Sequence, residues 1–291
     1  AGALHAAARA AVEPSLAADD PDAAMASALR RLKYRVVAGL ILRDLDDGPK
    51  GAEPISARVA WLADALVQAA LTFADRRLAL RHGRPPAWSK DGGFIVFALG
   101  KHGGQELNYS SDIDVIFVTD DVSGPTDGPA PIDGVRYAER MGRQIVALLQ
   151  ERTADGFCFR VDLDLRPDGV AGPSTVSFAS AEQYYLTWGR TWERAAWLKA
   201  RVCAGDQALG TELLERLRPF RYRRSMDFAT LEDIARLRDR IASAARRVPL
   251  EQDLKRGPGG IRELEFFVQA LQLVWAGREA RLRVAGAMPT L

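Results

Sequence analysis

Only two cysteines, Cys158 and Cys203, and three histidines occur among 291 residues. Two thiols so far apart build no disulfide framework, and neither they nor His5, His82 and His102 fall at the paired spacing of a zinc site. Such sparing use of cysteine suits a reducing compartment, so a cytoplasmic location is expected. Charge of one sign is lacking too. The formal net charge is +2, which gives no bulk reason to expect a nucleic-acid partner, although a local basic patch is still allowed. No uninterrupted apolar run approaches the roughly 20 residues of a membrane span, so no membrane partner is expected. The Ala-rich opening AGALHAAARAAVEP lacks the basic stretch and apolar core of a signal peptide. With no initiator Met and an end at GAMPTL, the chain reads as a piece of a longer protein. What is present is ordinary for a globular protein, 47% hydrophobic and 27% charged, and long enough for one large or two ordinary cores.

Apolar spacing predicts helices over 22–46 and 55–81, separated by DDGPKGAEP. After the Pro/Gly loop HGRPPAWSKDGG the period changes. GFIVFALG and DVIFVTD are continuous apolar runs of strand length, and FCFRVDLDL alternates in the manner of a third strand. A helix over 135–152 fits between the second and third. From RPDGVAGPS onward the pattern is helical, with helices expected over 181–188, 192–201, 206–217, 231–247 and 260–275. The predicted architecture is α+β, a small mixed sheet flanked by helices and followed by a helical bundle. Its expected divisions are residues 1–90 (helical), 91–178 (sheet) and 179–291 (helical).

The chemistry concentrates in LGKHGGQELNYSSDIDVIFV, residues 99–118. Asp112 and Asp114 sit two apart at the mouth of a strand, so both carboxylates face one side. Like charges this close repel and are costly to desolvate, so a cation belongs beside them. Mg²⁺ or Mn²⁺ fits, since such ions take one or two carboxylates plus water and phosphate oxygens. The third strand offers Asp162, with Asp164 two residues on as a further candidate. Three carboxylates from adjacent strands can clamp two ions for in-line phosphoryl displacement. The preceding turn, with Gly100, Gly103 and Gly104, can bring backbone N–H groups close to a phosphate, and Lys101, Ser110 and Ser111 add donors. No P-loop is present. A lone DxD pair is commonly a solvated strand end; glycine turn, fixed gap, DxD and a later carboxylate strand together are more specific.

These residues resemble the polymerase-β-type nucleotidyltransferase signature, in which a Gly-Ser turn precedes a DxD pair; Lys101 stands where that signature has Ser. The longer string GKHGGQELNYSSDIDVIFV resembles the glutamine synthetase adenylyltransferase family. So do FRVDLDLRPDG, YYLTWGRTWERAAWLKARVCAGD and LKRGPGGIRELEFFVQALQLVWAGRE. The resemblance implies one of two nucleotidyltransferase domains, each with a helical companion. The GGIRELEFFVQALQL wording is similar to the amino-terminal half, where the family places removal of AMP from a tyrosine of glutamine synthetase. It implies Asp112, Asp114 and Asp162 as catalytic metal ligands; many members carry Arg where this chain has Asp164, which leaves Asp164 as either a further ligand or a salt-bridge partner for Arg166.

 It further implies Mg²⁺ or Mn²⁺ as cofactor, glutamine synthetase as protein substrate, phosphate and ADP or ATP as small substrates, and the PII signalling protein as regulator of the full-length enzyme.

Two alternatives stay open at the level of sequence. The chain can be the ATP-dependent adenylylating head of the same family, or a non-catalytic domain that docks glutamine synthetase or PII. Among the remaining residues, Arg166 follows the third carboxylate and is expected to bind phosphate or hold those carboxylates. Arg194 and Arg201, seven apart on one expected helix, are placed to meet phosphate or an acidic loop. The alternative for both is a helix that packs its tryptophans and solvates its charges.

Overall fold

The computed structural model describes residues 1–48, 52–88, 92–224, 228–245, 253, 255 and 257–287. Residues 49–51 of the expected loop between two helices, 89–91 of the expected loop before the first strand, and 246–247 at the end of one expected helix lie outside the described residues.

Four helices come first: α1 (Gly2–Arg9), α2 (Val12–Leu16), α3 (Pro21–Asp47) and α4 (Ala52–His82). The start of α3 follows from local chemistry. Asp20 accepts a hydrogen bond from the Ala23 N–H at 3.1 Å, and Pro21 occupies the first turn, where no N–H is needed. The first two helices were not expected from the sequence. The stretch Ile55–His82 of α4 is long and apolar enough by length and composition to cross a membrane, although Arg58, Asp64 and Asp75 interrupt its apolar residues. Most of it is buried inside the fold, as in a core helix.

The sheet has five strands: β1 (Phe94–Ala98), β2 (Ile113–Thr119), β3 (Val161–Asp162), β4 (Thr175–Ser177) and β5 (Arg201–Gly205). β1 is antiparallel to both β2 and β5, whereas β2 is parallel to β3 and β4. The one-turn helix α5 (Gly100–Gly103) follows β1, and α6 (Gly134–Gln150) connects β2 to β3. The remaining helices are α7 (Phe178–Thr187), α8 (Thr191–Trp197), α9 (Gln207–Arg216), α10 (Arg218–Arg221), α11 (Phe228–Ala245) and α12 (Ile261–Trp275).

The sheet is buried on both faces, which is why its central strands read as unbroken apolar runs. Phe94, Val96, Ala98, Val115 and Phe117 join α3, α4 and α6 in one core. Ile95, Phe97, Ile116 and Val118 join Tyr185, Trp197, Leu213 and Phe220 in a second. Alternation along β2 therefore puts Asp112 and Asp114 on the same side as Ile116 and Val118, at the strand's open end.

Two expectations change here. FCFRVDLDL is not one long strand: only Val161 and Asp162 pair with β2, at Ile113 and Asp114. The chain then makes an excursion over residues 163–174 and rejoins the same edge as β4. The helix expected over 192–201 ends at Trp197, and Arg201 instead opens β5. Arg194 and Arg201 thus share no helix face.

Candidate active site

Asp114 pairs with Asp162 in the β2–β3 register, and Asp112 lies two residues before it. The structure thus brings the three expected carboxylates to one end of the sheet. Burial pushes the Asp114 carboxyl up to about 6, with Asp162 and then Asp112 adding repulsion; Lys255 opposes the shift. The Arg160 guanidinium forms an ion pair with Asp112. Its Nη2 also donates to the Ser110 carbonyl at 2.8 Å, holding the approach to β2. Neither Arg160 nor Lys255 was picked out from the sequence. Arg160 had a signal, since it lies two residues before Asp162 in an alternating stretch. Lys255 sits in the LKRGPGG stretch and is far away in sequence.

Gly100 opens α5 directly against this site. Its φ is +52°, and a Cβ there would collide with the Asp114 carboxylate, so glycine is required twice over. Lys101 follows, half-buried in α5. Gly103 packs where a Cβ would strike the Lys199 and Ala98 carbonyls, and Gly104 faces Glu106 and Ala285. Both therefore serve close packing. Ser110 is exposed and contributes its carbonyl to Arg160. The Ser111 hydroxyl accepts a hydrogen bond from the Asn108 N–H at 3.3 Å, inside the same loop.

Asp164 and Arg166 belong to the excursion between β3 and β4. Asp164 does not continue a strand beyond Asp162 as expected; it is exposed in a turn, and its N–H donates to Asp162 Oδ1 at 2.8 Å. Arg166 donates to the carbonyls of Leu163 (2.9 Å), Gly172 (3.2 Å) and Pro173 (3.0 Å). Its guanidinium therefore braces the excursion. Arg194 is buried on α8 beside a separate cleft that none of the three carboxylates lines.

The carboxylates suit a hard divalent cation. Three acids converge, the carboxyl of one is pushed up by burial and by the others, and the glycine beside it leaves room at the oxygens. Asp162→Ala should abolish the rise in melting temperature that Mg²⁺ or Mn²⁺ gives the wild type. Asp164→Arg should retain at least half of that rise, because this position supplies Asp162 with a backbone N–H. Calorimetry with and without metal checks the ranking.

A second polar cluster, absent from the sequence reading, lies behind α5. His102 Nε2 is 2.7 Å from Asp64 Oδ1, and Arg201 donates to both Asp64 oxygens at 2.8 and 2.9 Å. Arg201 also donates to the carbonyls of His102 and Gly103. Asp64, His102 and Cys203 are close enough together to hold a metal ion. However, Arg201 occupies both carboxylate oxygens. Burial raises the Cys203 thiol, which donates to the Val96 carbonyl at 3.3 Å. The cluster is therefore read as a brace that joins α4 and β5 to α5.

Comparison with known proteins shows the family. The family model for glutamate-ammonia ligase adenylyltransferase matches residues 3–216. The chain belongs to that family. A second model, for PII-uridylyltransferase, matches residues 230–289 in the helical region. Relatives named as bifunctional glutamine synthetase adenylyltransferase/adenylyl-removing enzymes include one from Xanthomonas campestris pv. campestris (strain B100), 45% identical over 272 residues and 91% of this chain. Another, from Thioalkalivibrio sulfidiphilus, is 42% identical over 271 residues and 93% of this chain. The alignment covers 28% of the length of each of these two relatives.

Proposed function

We propose that this chain is the adenylyl-removing head of its family. The observation that carries a nucleotidyl-transfer site is the convergence of Asp112, Asp114 and Asp162, with Asp114 pushed up to about 6. The direction is supported by the GGIRELEFFVQ wording, because the carboxylates serve either direction equally.

In the proposed reaction, an oxygen of inorganic phosphate attacks the α-phosphorus of adenylyl-tyrosine on glutamine synthetase. A new P–O bond forms and the P–O bond to tyrosine breaks. The products are ADP and the unmodified side chain, whose phenolate takes up a proton. A phenol of pKa about 10 is a fair leaving group. Asp112, Asp114 and Asp162 would hold one or two Mg²⁺ or Mn²⁺ ions, which when bound neutralise charge on the phosphoryl oxygens and the leaving phenolate. Gly100 lets the backbone approach the reacting phosphate, Lys101 offers a cation to it, and Arg160 holds Asp112 in place. PII as regulator of the whole enzyme is supported by the family and by the PII-uridylyltransferase match in the helical region.

The test is incubation with adenylylated glutamine synthetase, phosphate and Mg²⁺, followed by nucleotide analysis. ADP is the expected product. Free AMP would mean hydrolysis, and transfer of AMP from ATP onto unmodified glutamine synthetase at a comparable rate would favour the adenylylating head. No turnover in either direction would favour a docking domain.

A further inference from the structure

The described residues contain a second feature built for anions, on the helical side of the molecule. On α11, Asp233, Arg236, Leu237 and Arg240 are spaced three, one and three residues apart, so they share one face. That face lines a cleft of about 450 Å³ together with the start of α8. Arg190 and Arg194 enter it from α8 and its N-cap, and Arg223 from the segment after α10. Five guanidinium groups from three segments thus meet one carboxylate. That carboxylate, Asp233, is already engaged by the Thr191 hydroxyl at 2.9 Å and by Arg236 at 3.3 Å.

A merely solvated helix face has no cause to gather arginines. Arg236 is paired with Glu232 one turn back at 3.4 Å, but Arg240, four residues on, adds a like charge on the same face. Arg194 is only 2% exposed, so one of the five positive charges sits in the cleft wall, where solvent screens it least. Guanidinium groups match phosphate oxygens with paired, directed N–H donors. The aromatic content sets the rest of the ligand. Trp188 and Trp192 line the same cleft and remain 71% and 38% exposed, although large apolar side chains are normally covered. Tryptophan beside arginine is a stacking platform for a nucleobase. The volume suits a small ligand of nucleotide size.

We infer that this cleft binds a nucleoside di- or triphosphate, with its phosphates on the arginines and its base on the tryptophans. Asp112, Asp114 and Asp162 do not line it. Arg190 and Trp192 also line a neighbouring hollow that contains Asp164, so the bound nucleotide lies beside the excursion that carries Asp164 and Arg166. The carboxylates take no part, and binding needs no divalent ion.

The test is titration of the chain with ADP in the presence of a chelator, by calorimetry and by tryptophan fluorescence. Saturable binding is expected, unchanged in Asp114→Asn. It should weaken at least about tenfold in the double variant Arg223→Gln/Arg240→Gln, the effect of losing one charge-assisted hydrogen bond. Circular dichroism checks that this variant is folded; Trp188→Ala, an exposed position, supplies a second variant expected to weaken ADP binding. Loss of binding in chelator, or in Asp114→Asn with the arginine variant unaffected, would place the nucleotide on the carboxylates and overturn the inference. Pyrophosphate binding as tightly as ADP would overturn the nucleoside assignment. All these outcomes are read without turnover, so they stand apart from the phosphorolysis experiment.

Discussion

Asp114→Asn is expected to remove turnover by at least roughly 10²–10³-fold, the loss seen when one preorganised electrostatic contact is deleted. The metal-free protein should nevertheless melt no lower than wild type. Burial and the neighbouring Asp162 and Asp112 hold the Asp114 carboxyl at about 6, above its usual value of 3.8. A group raised in the folded state contributes stability below its unfolded pKa and loses it as pH rises through the folded one. Ionised Asp114 therefore costs the folded protein on the order of 2 kcal/mol at pH 7, and asparagine relieves that cost. The gap between variant and wild type should be largest above pH 6 and close towards pH 4. Melting curves without metal across this range, paired with activity assays, check both halves. A variant that melts clearly lower at pH 7, or that keeps more than a few per cent of the activity, would contradict the assignment.

Asp64→Ala should destabilise the protein by about 3–5 kcal/mol, because it strands the Arg201 guanidinium and the fully buried His102 without their carboxylate. Chemical denaturation measures this. The pH dependence carries a second signature. Burial pushes His102 below its usual 6.5, only partly offset by Asp64. A depressed histidine contributes stability above pH 6.5 and loses it as pH falls through the folded value. Asp64 is held below the usual carboxylate range by His102 and Arg201 against the opposing effect of burial. It extends the loss to still lower pH, below 3.8. In wild type the relief at Asp114 runs the other way between pH 6 and 4, so acid destabilisation should be steeper in Asp114→Asn than in wild type.

How much of this was legible depended on the range of the interaction. β2 and its carboxylates could be read because burial on both faces makes an unbroken apolar run, and the two aspartates interrupt its start. β5 escaped notice because RVCAG follows TWERAAWLKA without a turn signal, and its pairing to β1 is set by residues about a hundred positions away. The third strand was overextended because alternation alone cannot tell a paired strand from an extended loop. Arg166, expected to bind phosphate or to hold the carboxylates, donates to carbonyls of its own loop, contacts that a strand pattern does not announce. The brace behind α5 had no local signature at all: Asp64 is 38 residues from His102 and 137 from Arg201.

The core that α3, α4 and α6 share with one face of the sheet has a consequence for how such a domain can be handled. Residues on both sides of position 90 fill the same interior, so the sheet with its carboxylates is not a cassette that can be lifted out at that boundary. A fragment starting at β1 would leave Phe94, Val96 and Phe117 facing water. It would also lose Asp64, and with it the anchor for the turn that seats Gly100 against Asp114. In grafts between family members, α4 and the sheet need to be inherited together.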